Sequence, residues 1–312
     1  MAVLLACAIT QKLWRPQIAM ATTDEKRQEA NDLLVVGAGY LGQRVAKRWL
    51  RMHPNARVVG VTNTDASHET LRAEGIEATT VDDLKSQADA GGRFPYVVFS
   101  APPRSRKGSD PAGYIASVDD AITHWAQPLK DSETGGFVFT SSGGVLSEDN
   151  GGTVTEDSAV SDTASAKTLL EAEQHVRTAD GTVLRLAGLY DLRRGAHAYW
   201  LKTGVIKSGE GGLVNQVHYD DAAEAVVAAL RGGAPTRGNV FLVGDGSPMS
   251  RLEIVNAARK APVFKDAAMP SFEPPAGATG GHGKVYDTSR VKRTIGWKPQ
   301  FPSFAHYMAA QR

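Results

Sequence analysis

The glycine-rich segment Gly37-Ala38-Gly39-Tyr40-Leu41-Gly42 constrains the fold of this chain more than any other. It follows an apolar run at residues 33–36 and precedes a segment whose apolar side chains recur at helical spacing. Between a strand and a helix, such glycines permit a tight turn, close approach of the backbone to a pyrophosphate, and close helix packing. The free N–H groups at the start of the helix would face phosphate oxygens. The segment therefore predicts a nucleotide cofactor bound by Gly37, Gly39, Tyr40, Leu41 and Gly42, without identifying a reaction.

Strands and helices alternate after this segment. Short apolar runs predict strands at residues 33–36, 57–61, 78–81, 96–100, 137–140, 182–186 and 240–243. Helical spacing predicts helices at residues 69–74, 111–125, 164–177 and 220–230. This alternation predicts an α/β fold, a doubly wound parallel sheet of the Rossmann type with a smaller C-terminal substrate-binding part.

The chain is predicted to have three parts. Residues 1–29 form a leader, residues 30–190 the dinucleotide-binding domain, and residues 191–312 the C-terminal part, from which a segment at about 215–245 returns to the core. The Pro- and Gly-rich segment 270–283 is predicted to be a loop. A net charge of +1 gives no electrostatic reason to expect a nucleic acid partner, and no run approaches the roughly 20 apolar residues that span a membrane. The expected partners are a small-molecule substrate and a second copy in a homodimer.

The leader has two open interpretations. Residues 1–23 contain Lys12 and Arg15 but no Asp or Glu, and they end in small residues, which favours an organelle transit peptide and a chloroplast location, with the mitochondrion as an alternative. In the other interpretation, translation starts at Met20 and the protein is cytoplasmic.

The end of the second predicted strand bears on the choice of cofactor. Enzymes that use NAD usually carry an Asp or Glu about 20 residues after the glycines, where it binds the ribose 2′-hydroxyl. Here the position is occupied by Thr62, Asn63 and Thr64, which can accept a 2′-phosphate that a carboxylate would repel. The pattern favours NADP, although no Arg is present there and Asp65 is close enough to permit NAD. An ordinary polar turn is the alternative interpretation.

Several further motifs carry a resemblance to a known family. They are Val98-Phe99-Ser100-Ala101-Pro102-Pro103, Phe139-Thr140-Ser141-Ser142-Gly143-Gly144-Val145, Arg185-Leu186-Ala187-Gly188-Leu189-Tyr190, Val217-His218-Tyr219-Asp220-Asp221-Ala222 and Ile295-Gly296-Trp297-Lys298-Pro299. Their order and spacing resemble the extended short-chain dehydrogenase/reductases, also called the NAD-dependent epimerase/dehydratase family. More narrowly, they resemble its atypical branch, which has plant and algal plastid members. The resemblance covers roughly residues 33–302.

The resemblance implies roles for individual residues. Ser100, Ala101 and Pro102 would line the nicotinamide ribose, and Asp82 would reach the adenine. Ser142 would be the active-site serine that hydrogen-bonds the substrate oxygen, and Ser141 beside it is a further substrate candidate. Turn formation before two glycines is the alternative for both serines. The remaining substrate candidates are Tyr190, Arg194 and His218, each of which also has a structural interpretation as a core aromatic, a solvated loop residue or a packing histidine.

One position departs from the family pattern. Family enzymes carry a Tyr-x-x-x-Lys pair one helical turn apart, and the lysine lowers the pKa of the tyrosine so that it can exchange a proton with the substrate. Here Lys167 is present, but Thr163 occupies the tyrosine position. A threonine hydroxyl does not ionise near neutral pH, so the resemblance leaves Lys167 to bind the cofactor ribose and, with Ser142, as a catalytic candidate. A solvated helix lysine is the alternative interpretation of Lys167.

Two functions follow from this combination. The first is a hydride-transfer oxidoreductase or epimerase that uses NADP or NAD, acts on a small or nucleotide-linked substrate, and lacks the usual tyrosine. The second is a protein that binds NADP(H) without turnover and acts as a sensor or scaffold.

Overall fold

The computed structural model describes residues 30–86, 92–103, 110–274 and 282–311. The predicted leader at residues 1–29 lies outside these ranges, as do the location predictions that depend on it. Within the described residues, no helix is both long enough and apolar enough to cross a lipid bilayer.

A parallel sheet of seven strands forms the centre of the described structure. Its strand order is β12-β7-β5-β4-β1-β2-β3, and every neighbouring pair is parallel. The bounds are β1 Leu33–Val36, β2 Val58–Thr62, β3 Glu77–Thr80, β4 Tyr96–Phe99, β5 Gly136–Ser142, β7 Thr182–Leu186 and β12 Val240–Val243. The predicted fold class, an α/β doubly wound parallel sheet, is therefore confirmed.

Helices cover both faces of this sheet because its central strands are apolar on both sides. Leu33 and Val35 of β1 pack toward α1 and α7, whereas Leu34 and Val36 pack toward α4 and α5. The helices are α1 Tyr40–Met52, α2 His68–Ala73, α3 Val81–Ser86, α4 Pro111–Thr123, α5 Ala164–Thr178, α6 Ala196–Thr203, α7 Tyr219–Leu230, α8 Arg251–Lys260, α9 Ser289–Ile295 and α10 Phe304–Ala309.

Shorter strands form small sheets beside the central one. One has the order β13-β10-β15-β6, and two are the pairs β11-β8 and β14-β9. Their bounds are β6 Asn150–Val154, β8 Gly188–Tyr190, β9 Val205–Ile206, β10 Leu213–Val214, β11 Gln216–His218, β13 Met249–Ser250, β14 Ser271–Phe272 and β15 Gly283–Tyr286. The loop predicted at residues 270–283 therefore contains β14 and the start of β15, because long-range pairing with β9 and β6 orders them.

The outer edge of β12 is covered by a side chain. The N–H of Leu242 donates to Oε1 of Glu156, at 2.9 Å, and Nε of Arg290 lies 3.3 Å from the other oxygen of the same carboxylate. Glu156 is buried, so an ion pair and a backbone hydrogen bond compensate its charge.

A separate apolar cluster joins the C-terminal helices to the core. It contains Tyr190 of β8, residues of α8, and Phe304 and Met308 of α10. Asp245, which follows β12, is buried beside this cluster. The pKa of the Asp245 carboxyl is raised to about 7, mainly by burial and also by the nearby charge of Asp221, although a hydrogen bond from the N–H of Ser247 opposes the shift.

The raised pKa of Asp245 predicts a specific pH dependence of stability. Between pH ~4 and ~7 the folded protein binds a proton that the unfolded chain has released, so the free energy of unfolding falls as pH rises, by at most about 1.4 kcal/mol per pH unit. Asp245→Asn keeps the side chain neutral and should flatten this decline. Urea unfolding from pH 4 to 8 measures it, with exposed Asp131→Asn as the control. Parallel curves for wild type and Asp245→Asn would contradict the assignment.

Candidate functional site

A cleft of about 730 Å³ opens at the carboxyl ends of the central strands. It lies where β1 and β4 are neighbours and the chain leaves them in opposite directions, which is where ligands bind in such sheets. The predicted site residues that line it are Gly37, Gly39, Tyr40, Leu41, Thr62, Asn63, Ser100, Ala101, Pro102, Ser141, Ser142 and Arg194. The predicted site residues outside its lining are Gly42, Thr64, Asp82, Lys167, Tyr190 and His218.

The three glycines of the turn differ in what a side chain at each position would contact. A Cβ on Gly37 would lie 2.4 Å from the N atom of Ala101, and its φ of +88° is strained for other residues. A Cβ on Gly42 would lie 2.5 Å from the carbonyl oxygen of Gly37. Gly39 differs, because its Cβ would meet only the carbonyl oxygen of Gly37, at 4.0 Å. The folded chain needs Gly37 and Gly42, while the space in front of Gly39 belongs to the cleft.

The start of α1 faces this space without a side-chain cap. Gly39 is the N-cap residue, no side chain of the described residues caps the free N–H groups, and the first turn contains no acidic residue. Backbone N–H groups at such a helix start favour an anion through hydrogen bonds and the helix dipole. The glycine turn therefore fits the pyrophosphate of a dinucleotide both in shape and in charge.

The end of β2 forms the next part of the cleft. Thr62 and Asn63 line it, together with Ser67, which the sequence did not single out. The hydroxyl of Thr62 donates to the carbonyl oxygen of Thr64, at 2.8 Å, and lies 2.9 Å from Nε2 of His68. Thr62 is therefore engaged within the protein, and among the described residues the cleft lining here contains no carboxylate.

Ser141 and Ser142, at the end of β5, point to different partners. The buried Ser141 hydroxyl donates to Oε1 of Glu173, at 2.6 Å, and Glu173 forms a buried ion pair with Arg185, at 2.7 Å. Ser142 instead accepts the N–H of Gly144, at 3.1 Å. The Ser141 proton is thus committed, whereas Ser142 keeps its proton for a ligand in the cleft. The sequence analysis did not predict this ion pair. Its one indication was Arg185 itself, a charged residue within the otherwise apolar strand β7.

Thr163 and Lys167 lie one helical turn apart, with the N–H of Lys167 donating to the carbonyl oxygen of Thr163 at 2.9 Å, but neither residue lines the cleft. Thr163 is the N-cap of α5, and its hydroxyl accepts the N–H of Ala166, at 3.3 Å. The helix begins only at Ala164. Lys167 is exposed and lies outside the cleft lining. Thr163 therefore has a structural role, because its hydroxyl accepts one of the otherwise unpaired N–H groups at the start of α5.

The loop at residues 191–195 closes one side of the cleft, where Arg194 lines it. The Tyr40 hydroxyl donates to the carboxylate of Asp191, and the guanidinium of Arg194 lies 4.4 Å from the centre of the Tyr40 ring. Arg44 packs on the same ring, at 3.9 Å, and lies 3.5 Å from the Asp191 carboxylate. Tyr219 also lines the cleft, and its ring meets that of Tyr40 edge to face. Asp191 and Arg44 were not identified from the sequence.

Tyr190 belongs to the apolar cluster at the C-terminal helices, and the ring of His218 packs against Tyr190 and Tyr307. The Tyr190 ring packs against Phe304, and burial raises the pKa of its hydroxyl. His218 is the N-cap of α7, where Nδ1 accepts the N–H of Asp220, at 3.2 Å. Burial lowers the pKa of His218, which favours the neutral ring. Asp82 lies exposed on α3.

Comparisons with known proteins identify the fold. No protein-family model matches the chain. Protein YeeZ of Escherichia coli is 27% identical over 86% of this chain and 95% of its own length. The UDP-glucose 4-epimerase of Thermotoga maritima, solved with UDP-glucose, superposes with a TM-score of 0.70 at 19% identity, covering 89% of this chain and 96% of the epimerase. The UDP-glucuronic acid 4-epimerase of Bacillus cereus, solved with NAD, has a TM-score of 0.68 at 20% identity, covering 90% and 97%. The chain has the fold of these nucleotide-sugar epimerases.

Proposed function

We propose that the cleft binds a nicotinamide dinucleotide and that the protein uses it for hydride transfer with a small or nucleotide-linked substrate. The observation that carries the proposal is the open space in front of Gly39, at a helix start with no cap and no acid. The solved epimerase from Bacillus cereus, which has the same fold, holds NAD, and that from Thermotoga maritima holds UDP-glucose.

The cleft residues suggest how the cofactor would be held. The backbone at Gly39, Tyr40 and Leu41 would bind the pyrophosphate, and the end of β2 would receive the adenosine ribose. Ser100, Ala101 and Pro102 would support the nicotinamide ribose. When bound, the nicotinamide supplies a carbon that accepts or donates hydride. Ser142 would donate its free proton in a hydrogen bond to the substrate oxygen beside that carbon, since its acceptor site already binds Gly144.

Gly39→Ala tests the binding site directly. Its φ of −83° suits alanine and its Cβ would meet no atom closer than 4.0 Å, so the variant should fold with wild-type stability. The new methyl group would occupy the space of the pyrophosphate and weaken NAD(P)(H) binding by roughly tenfold or more. Thermal shift and calorimetric titration with NAD and NADP measure this. Gly211→Ala, which also enters open space but lies outside the cleft lining, is the matched control. Unchanged affinity in Gly39→Ala would reject the site.

A second function, a dinucleotide-binding sensor without turnover, is favoured by one observation. Thr163 caps α5, and Lys167 is exposed outside the cleft, so the family's proton-transfer pair has no counterpart on this helix. The cleft lining among the described residues contains Tyr40, Tyr114 and Tyr219 as phenols. Of these, Tyr40 donates to Asp191 and Tyr114 to the carbonyl oxygen of Ala101.

Turnover separates the two functions. NADH and NADPH oxidation against carbonyl compounds, and epimerisation of a panel of UDP-sugars, should show activity that Ser142→Ala lowers by roughly tenfold or more through loss of one hydrogen bond. Ser141→Ala should instead reduce the free energy of unfolding by about 1.5–3 kcal/mol, because its bond to Glu173 is buried and charged. Dinucleotide binding without turnover of any panel member would favour the sensor and reject the enzyme for these substrates.

We also propose NADP as the preferred cofactor. The support is the carboxylate-free lining at the end of β2 within the described residues. Asn63→Asp would place a negative charge there, which repels a 2′-phosphate and accepts a 2′-hydroxyl. The ratio of NADP to NAD affinity should fall roughly tenfold, since nearby like charges at a protein surface cost about 1–4 kcal/mol. Calorimetric titration measures the ratio, with exposed Asn55→Asp as the control. An unchanged ratio would remove Asn63 from the specificity site.

A further inference from the structure

The loop at residues 191–195 places the side chain of Arg194, which forms no ion pair with another described residue, beside the glycine turn. Arg194 is the only Lys or Arg that lines the cleft in the described part of the chain. Its guanidinium lies over the ring of Tyr40, the first residue of α1, at 4.4 Å from the ring centre. Arg44, the other arginine on this ring, is already paired with Asp220, at 3.0 Å, and with Asp191.

The loop is held in place at several points. The N–H of Asp191 donates to the carbonyl oxygen of Arg194, at 2.8 Å, and the N–H of Arg193 donates to the Asp191 carboxylate, at 3.1 Å. The same carboxylate accepts the Tyr40 hydroxyl. Gly195 then reverses the chain with a φ of +132°, where a Cβ would lie 3.0 Å from the carbonyl oxygen of Leu189. These contacts therefore fix the backbone of Arg194 beside the start of α1.

We propose that Arg194 binds the pyrophosphate of the dinucleotide, and that Asp191 positions Arg194 by holding the loop to Tyr40. The inference rests on the proposed function, because it needs a dinucleotide in the cleft. The start of α1 offers N–H groups from one side of the phosphates, and Arg194 offers a planar set of donors from the side of the C-terminal part. The pyrophosphate would thus be held between the two parts of the chain.

Calorimetric titration of the full chain with ADP-ribose tests the assignment, because ADP-ribose carries the pyrophosphate without the nicotinamide. Arg194→Gln should weaken ADP-ribose binding by about ten- to a hundredfold, the loss expected for hydrogen bonds to a charged group. Adenosine, which has no phosphate, should bind both proteins equally. Arg194→Lys should be intermediate, since it keeps the charge and loses the planar donors. Arg193→Gln, exposed and outside the cleft lining, is the matched control and should bind like wild type.

The role of Asp191 is tested by a double-mutant cycle. Asp191→Asn should weaken ADP-ribose binding in the wild-type background and add little when Arg194 is already Gln, because it acts through Arg194. Full additivity would reject the positioning role. Equal ADP-ribose affinity in wild type and Arg194→Gln would overturn the pyrophosphate assignment. If that variant instead lost affinity for UDP alone, Arg194 would belong to the phosphates of a substrate, which also overturns it. Failure of the wild type to bind any dinucleotide would reject the proposed function itself.

Discussion

The close approach of Gly37 to the backbone of Ala101 is the constraint on which the site depends. The two residues follow β1 and β4, the neighbouring strands at which the chain changes direction across the sheet. No side chain fits between them, so the glycine turn and the end of β4 are held in contact and form adjoining walls of the cleft. Because β1 is buried on both faces, its position is fixed, and the start of α1, which follows the glycine turn, is fixed relative to the sheet.

The opposite wall is fixed by charge. Glu173 of α5 and Arg185 of β7 form a buried ion pair, and Ser141 of β5 donates to the same carboxylate. Removing one partner would leave a buried charge uncompensated, which costs about 3–5 kcal/mol in comparable pairs. The network therefore holds β5, α5 and β7 together. It also fixes the position at the cleft of Ser142, which follows Ser141 in the chain.

Patterns that repeat along the chain made the central fold predictable. The apolar runs gave β1, β7 and β12 with the bounds observed, since buried parallel strands are apolar on both faces. The site was only partly predictable, because tertiary packing decides in which direction each side chain points. The helix α5 begins at Ala164, as predicted, but the pattern did not show that residue 163 is its N-cap, with the hydroxyl bonded to the backbone of the first turn. The ring of Tyr190 packs against Phe304, and that of His218 packs against Tyr307, both in α10. These partners are distant in sequence, so no local pattern predicts the contacts.

The carboxylate of Glu156 affects whether another chain can add a strand to the β12 edge of the central sheet. The end strand of a parallel sheet normally offers a row of free N–H and C=O groups to which a foreign strand can add. Here Glu156 takes the N–H of Leu242 at the middle of β12, and the guanidinium of Arg290 stands behind it. A strand arriving at this edge would have to displace the buried carboxylate of Glu156 before it could bond to the N–H of Leu242. The β12 edge of the sheet is thereby protected against continuation into a neighbouring chain, and contact between copies along this edge would have to use side-chain surfaces.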